Sequence, residues 1–354
     1  MATLYICSSE PYSGKSLIAL ALGLRLQQDG RQVGYFKPIG LTPAQHDEQV
    51  VDEDALFIAQ TLHLPDSLTD ISPLVLTPEL ISSVLAGEAP DLRERVLAAW
   101  ERVRQGKEIM LVGGAGAAVS TGWLLGLPAP EVARMLGAKS LLVGHYEDGR
   151  SVDPMLATAQ VMQPGMIGVI INGVPKNQVE EVEERVQPNL ERHGLEVLGI
   201  LPKDRLLGAV SVRELAAHLG ARVLCCQDKL DELVEHFSVG AMNVESALRY
   251  FRRTPHKAVI TGGDRSDIQL AALDTDTRCL VLTGDLYPNS LILARAEEKE
   301  VPTLLVGMDT LSVVEQVEKM LGKLRVREPR KVSRALELFA HHVRYQRLLE
   351  LLGA

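Results

Sequence analysis

Aromatic residues are scarce. Two Trp, seven Tyr and five Phe make up 4% of the chain, too few for a platform on which bases or sugars stack. A positive excess is also missing: 37 Lys and Arg stand against 46 Asp and Glu, a net charge of −9, with no basic block. Phosphate attraction supplies most non-specific nucleic-acid affinity, so a nucleic-acid partner is excluded. No apolar run is long enough to cross a bilayer, since the longest, near residues 17–24, ends at Arg25; a membrane partner is not expected. The start MATLYICSSE has no basic n-region and no signal-peptide pattern. The four cysteines, Cys7, Cys225, Cys226 and Cys279, include no C-x-x-C pair. Neighbouring Cys225 and Cys226 are poor candidates to bridge each other. Buried free thiols in a reducing cytoplasm are the simplest reading. The nine histidines form no H-E-x-x-H set, which argues against a structural zinc site.

What is present is ordinary globular material. Hydrophobic residues are 46% and charged residues 23%, enough to build a core, and 354 residues at about 150 per domain predict two domains. Short aliphatic runs at residues 3–8, 32–36, 108–112, 140–143, 168–171 and 197–200 alternate with helical patterns at 16–28, 54–62, 92–104, 153–162 and 178–193. Runs of this kind do not alternate in polarity, as expected for strands covered on both faces. The order predicts an α/β fold of P-loop NTPase type: a doubly wound, mostly parallel sheet. A smaller α/β unit follows Gly220, with strands at 223–226, 258–260, 279–282 and 303–306 and helices at 243–252, 268–273, 290–298 and 311–324. Glu328-Pro329-Arg330-Lys331 reads as a hinge before one amphipathic helix over 332–352. The expected domains are therefore 1–220, 221–327 and a helical tail, 328–354.

The strongest local signal is Ser9-Glu10-Pro11-Tyr12-Ser13-Gly14-Lys15-Ser16, between a strand and an Ala/Leu-rich helix. It matches G-x-x-x-x-G-K-[ST] except for Ser9 at the first glycine. Backbone N–H groups of such a loop converge on phosphate. Ser13, Gly14, Lys15 and Ser16 are the expected phosphate-binding residues. Gly14 permits close approach, Lys15 neutralises phosphate charge, and the Ser16 hydroxyl joins a Mg²⁺ shell. ATP with Mg²⁺ is the implied cofactor. The subclass that dimerises face to face through a lysine five positions before the P-loop lysine is disfavoured, because that position is Glu10.

From residues 6–40 the sequence resembles dethiobiotin synthetase and, more closely, the N-terminal domain of long-form phosphate acetyltransferases. Asp52-Glu53-Asp54-Ala55, Val112-Gly113-Gly114-Ala115-Gly116, the stretch 168–173 and Leu201-Pro202 agree in order. Val239-Gly240-Ala241-Met242, Thr261-Gly262-Gly263-Asp264-Arg265-Ser266-Asp267 and Leu282-Thr283-Gly284 resemble the DRTGG domain that follows in those acetyltransferases. The resemblance implies a substrate- or phosphate-binding role for Lys37, a Mg²⁺-ligand role for Asp54, and adenine binding by Asn172 and Pro202. Plainer readings stand beside these: a solvated strand-end lysine, a charge at a helix N-terminus, and a turn residue before Gly173. The family glutamate that holds Mg²⁺ corresponds to Gly113, so weak or absent ATPase or ligase activity is expected.

In the second unit Asp264, Arg265 and Thr283 are the candidate ligand residues, at strand carboxyl ends where open α/β sheets bind ligands. Asp264 or Ser266 could equally cap the next helix, and Asp309 the last one. His145 and Asp148 are isolated loop residues after a strand. No catalytic residue is assigned. The resemblance places an acetyltransferase domain after the second unit, and 354 residues leave no room for it. The expectation is a stand-alone cytoplasmic regulatory or adaptor protein. It binds a nucleotide or small molecule, forms a homo-oligomer and acts on a partner enzyme of acetate or acetyl-CoA metabolism. The competing readings are an ATP-dependent ligase or carboxylase of dethiobiotin synthetase type, and a structural oligomer with a vestigial P-loop.

Overall fold

The computed structural model describes residues 1–321 and 329–354. The chain divides into two compact units, Met1–Lys203 with Val326–Ala354, and Asp204–Arg325.

The first unit is built on six strands: β1 (Ala2–Ser8), β2 (Val33–Phe36), β3 (Ile109–Gly113), β4 (Lys139–His145), β5 (Met166–Val174) and β6 (Val197–Pro202). They pair in the order β6-β5-β4-β1-β3-β2, every pair parallel. All carboxyl ends therefore lie along one edge, and that edge carries the loops. Helices α1 (Lys15–Gln28), α2 (Glu53–Thr61), α3 (Leu92–Val103) and α4 (Val152–Val161) lie in the crossovers, and a short helix, Ala129–Met135, joins β3 to β4. Residues 176–192 form a continuous helical stretch of 3₁₀, α and π turns where one helix is predicted. A small hairpin, Pro43–His46 with Gln49–Asp52, precedes α2 and was not legible as alternating hydrophobicity.

Helix α1 is apolar nearly all round, with Leu17, Ile18, Leu20, Leu22 and Leu26 all buried. A helix of that composition needs cover on both sides. The sheet supplies one side, and the chain's C-terminal region the other. That region was expected to be one helix over 332–352. It is two, α9 (Pro329–His342) and α10 (Tyr345–Leu352), numbered after the second unit's helices below. Helix α9 packs on α1 and β6, and α10 reaches β1, β5 and β6. The break comes where Val343 bridges Gly199 and the Arg344 N–H donates to the Leu198 carbonyl at 2.7 Å. A tertiary hydrogen bond ends the helix, so no Gly or Pro marks it. Ala335, Leu338, Phe339, Val343, Leu348, Leu349 and Leu352 are buried within this unit. The tail's apolar stripe is thereby used inside the chain. Of the expected hinge, Glu328 lies outside the described residues, whereas Lys331 is fully buried in α9.

The second unit begins before the expected Gly220 boundary. Val210–Ser211 pairs antiparallel with Leu233–Val234, and Val212, Leu215 and Leu219 pack into this unit's core. Gly220 is the left-handed C-cap of that helix. A five-stranded sheet follows: β7 (Arg222–Cys225), β8 (His236–Val239), β9 (Lys257–Gly262), β10 (Thr277–Thr283) and β11 (Thr303–Leu305), in the order β7-β11-β10-β9-β8. Only β7 runs antiparallel. Helices α5 (Val244–Phe251), α6 (Ser266–Leu273), α7 (Ser290–Glu298) and α8 (Thr310–Leu321) complete it. Strand β8, HFSV, is too short and mixed to have been predicted. The last three residues of the predicted helix over 311–324 lie outside the described residues. All four cysteines are free. Among the described residues no helix is long and apolar enough to cross a membrane.

Candidate functional site

The phosphate loop joins β1 to α1 at the carboxyl edge of the first sheet. Gly14 is the N-cap of α1 at φ +97°, a conformation L side chains rarely adopt, and a Cβ there would collide with the Asn172 amide. Glycine is needed on both counts. The Asn172 side chain donates to the Ser13 carbonyl at 2.9 Å, and the buried Ser13 hydroxyl donates to the Glu10 carbonyl at 2.6 Å. The loop is thus fixed from outside and inside. No side chain caps α1, and among the described residues the N–H groups of Gly14, Lys15 and Ser16 donate to nothing. These open donors sit at the positive end of a 14-residue helix.

Lys15 is folded over the loop, its Nζ donating to Ser8 Oγ at 2.6 Å and the Gly116 carbonyl at 2.7 Å. Burial, with Lys37 adding to it, lowers the Lys15 ammonium to about 8. Ser16 stands in the first turn of α1, beside the same opening. Cys7 lies under the loop, and burial raises its thiol to about 12, so it is no nucleophile at neutral pH.

Lys37 is buried, which rules out a solvated strand-end lysine. Its Nζ donates to Asp52 Oδ1 at 2.7 Å and Asp54 Oδ2 at 3.0 Å. Asp52 is wholly buried and caps α2 by accepting from the Ala55 N–H at 2.9 Å. Its other oxygen accepts from the Thr42 N–H at 3.1 Å and the Thr42 hydroxyl at 3.0 Å. Burial alone would push the Asp52 carboxyl up. Lys37 and the hydrogen bonds more than offset that and hold it below the usual range.

Sequence reasoning picked Asp54 from this block and missed Asp52. The Asp-x-x pattern at the start of an apolar helix was the available signal. Tyr35 was missed as well. A Cβ on Gly113 would collide with the Tyr35 hydroxyl, so this tyrosine occupies the space beside Gly113. Burial, then Asp54 and Asp52, keeps that phenol neutral, far above its ordinary range.

Asn172 lies near the end of β5 and Pro202 ends β6, in register with Val174. Asn172 is a strand residue gripping the phosphate loop, and Gly173 after it is still in β5, at φ +77°. His145 closes β4 near Gly173, and Asp148 caps a short 3₁₀ turn.

Of the two expected metal ligands, Asp54 pairs with Lys37 and Ser16 stands in the first turn of α1; among the described residues no three His, Cys, Asp or Glu are grouped to hold a metal.

In the second unit, Arg265 forms a fork with Asp267 at 3.1 and 3.2 Å and donates to the Met242 carbonyl at 3.1 Å. It ties together the loops after β8 and β9. Asp264 is exposed on the turn, and neither it nor Ser266 caps α6, whose N-cap is Arg265. The Thr283 side chain is buried and shares a hydrogen bond with Thr310 at 2.8 Å. Asp309 caps α8 through the Leu311 and Ser312 N–H groups, at 2.9 and 3.0 Å.

Comparison with known proteins agrees with this geometry. Residues 2–211 match the model of the AAA domain family, more than half of the chain. The chain belongs to the AAA domain family. Residues 214–320 of this AAA-domain protein match the DRTGG domain. Phosphate acetyltransferase of Synechocystis sp. is 25% identical over 99% of this chain and 52% of that protein. The chain spans about half the length of the phosphate acetyltransferases it matches. ATP-dependent dethiobiotin synthetase of Bacillus subtilis is 25% identical over 57% of this chain and 88% of its own. Among solved structures, the CBS and DRTGG domains of the regulatory region of Clostridium perfringens pyrophosphatase match at 15% identity and TM-score 0.30. That match covers 44% of this chain and 75% of that one. The P-loop and DRTGG resemblances read from the sequence therefore hold.

Proposed function

We propose that this chain is a nucleotide-binding regulatory or adaptor protein. Its AAA-domain unit takes the phosphates of ATP, and its DRTGG unit senses a small-molecule ligand or mediates assembly. One observation carries the reading: the N–H groups of Gly14, Lys15 and Ser16 donate to nothing among the described residues and Lys15 folds over the same loop, while Tyr35 fills the space beside Gly113. Donors for an anion are retained, and a carboxylate that would organise metal-assisted phosphoryl transfer is absent. The relatives' names support a partner enzyme of acetate or acetyl-CoA metabolism. The protein works in the cytoplasm as a homo-oligomer.

Calorimetric titration with ATP tests the reading. Saturable heat is expected, with affinity about ten- to a hundredfold weaker in Lys15→Ala, and no heat up to millimolar nucleotide in the native chain would remove the reading. The ligase reading draws on the convergence of Lys15, Ser16, Lys37 and Asp54 in one site. It requires sustained phosphate release with a carboxylate substrate, abolished in Lys15→Ala, and such turnover would replace the regulatory reading.

A further inference from the structure

We infer that the phosphate loop takes its nucleotide without a divalent metal, with Lys37 as the cation of the site. The inference rests on the nucleotide-binding reading above and concerns how that site balances charge.

Mg²⁺ held on nucleotide phosphates and waters still calls on one or two free protein carboxylates, and the Ser16 hydroxyl is a neutral ligand that does not replace them. Asp52 has no lone pair to offer. Its Oδ1 accepts from Lys37 and the Ala55 N–H, and its Oδ2 accepts from the Thr42 N–H and hydroxyl. Four donors match the roughly four acceptor sites of a carboxylate. Asp54 Oδ2 is 3.0 Å from the Lys37 ammonium, a charge-assisted pair whose lysine is buried. A third acid projecting from Gly113 would need room that the Tyr35 hydroxyl fills. Tyr35 cannot substitute, because its phenol is neutral and a neutral phenol is a poor ligand for a hard cation. One tethered ammonium is therefore shared by two carboxylates and holds the place beside Asp54 that a metal would need.

The anion's own contacts lie with other groups. Incoming phosphate meets the α1 N–H groups and draws the Lys15 ammonium from two neutral acceptors, Ser8 Oγ and the Gly116 carbonyl. A neutral acceptor gives up an ammonium to a phosphate at little cost, because charge-assisted hydrogen bonds are the stronger kind. Without a metal bridging the β- and γ-phosphates, phosphoryl transfer loses its main electrostatic support. The bound nucleotide then persists as a signal.

The test is titration of the full chain with ATP in excess EDTA and, separately, in excess MgCl₂. Equal Kd values, within about threefold, are expected. A loss of about tenfold or more on chelation overturns the inference while leaving nucleotide binding intact. Absence of binding in both conditions removes the nucleotide reading, and the inference with it. Asp54→Asn supplies a second readout at a partly exposed side chain, with Lys37 still held by Asp52. Binding in EDTA should be equal or tighter, because a carboxylate competing for Lys37 is gone. Weakening confined to the MgCl₂ condition would make Asp54 a metal ligand and overturn the inference. A thermal melt of the variant confirms that it is folded.

Discussion

The two units present the same kind of edge, the carboxyl ends of a mostly parallel sheet, and each leaves a helix N-terminus there without a side-chain cap, but in different electrostatic surroundings. In the second unit Asn243 caps α5, Asn289 caps α7 and Asp309 caps α8, each through a side-chain oxygen. Among the helices after β8–β11, only α6 has no side-chain cap, and there Arg265 is paired with Asp267 at the surface. In the first unit α2 is capped by Asp52, but α1 is left uncapped by Gly14. The charges beside the two uncapped helices differ. Lys15, Lys37 and Asp52 are partly or wholly buried around α1, whereas the Arg265–Asp267 pair at α6 is solvent-exposed. A capped helix has satisfied its own donors; an uncapped one with buried ammonium groups beside it retains an unmet demand for an anion.

The sharpest way to break this contrast is Asp52→Ala. It removes the cap of α2 and leaves the buried Lys37 with Asp54 alone, so a loss of about 3–5 kcal/mol is expected from denaturant unfolding. Because the Asp52 carboxyl is held below its usual value, its contribution is full above the unfolded value and is lost as pH falls through the folded one. Asp52→Asn should flatten that acid limb, and an unchanged limb would count against the pair.

Lys15→Ala comes next, affecting binding rather than folding. Removal of one charge-assisted contact should weaken ATP binding about ten- to a hundredfold by calorimetry. The pH dependence is a subtler probe. The folded Lys15 value is about 8, against an ordinary 10.5. Across that interval the unfolded chain holds more protons, so this group's contribution to stability rises with pH while ATP affinity falls. Lys257, buried in the second unit and also lowered to about 8 by burial, donates to Thr275 and the Asp276 carbonyl. It should share the rise in stability and have no effect on ATP affinity. Comparing Lys15→Met with Lys257→Met by titration at pH 7 and pH 9 separates the two. The smallest effect belongs to Arg265→Ala, which should leave the melting temperature unchanged, because exposed pairs contribute little.

Much of this was legible in the sequence, and the failures share a cause. Buried parallel strands and the Gly14-Lys15-Ser16 turn are written locally, in aliphatic runs and one left-handed glycine. What escaped depends on residues far apart in the chain. Tyr35 matters because of Gly113, 78 positions later, where the absence of a side chain says nothing about what fills the space. For Lys37 the sequence left a solvated strand-end lysine beside the binding role, and only the hairpin that brings Asp52 back over it decides that the ammonium is buried. The tail's apolar stripe did not name its partner, because α1 lies some 300 residues earlier.

That tail has a mechanical consequence. The first unit contains both chain ends, and the second is spliced between Lys203 and Val326. A force applied between Met1 and Ala354 therefore loads the first unit alone. Its opening should begin with α10 and α9 peeling from the sheet, and with them the apolar cover of α1. Until those helices release, no tension reaches residues 204–325. An optical-trap record should show the phosphate-binding unit yielding before the inserted one, with the second extension step absent whenever the first has not occurred.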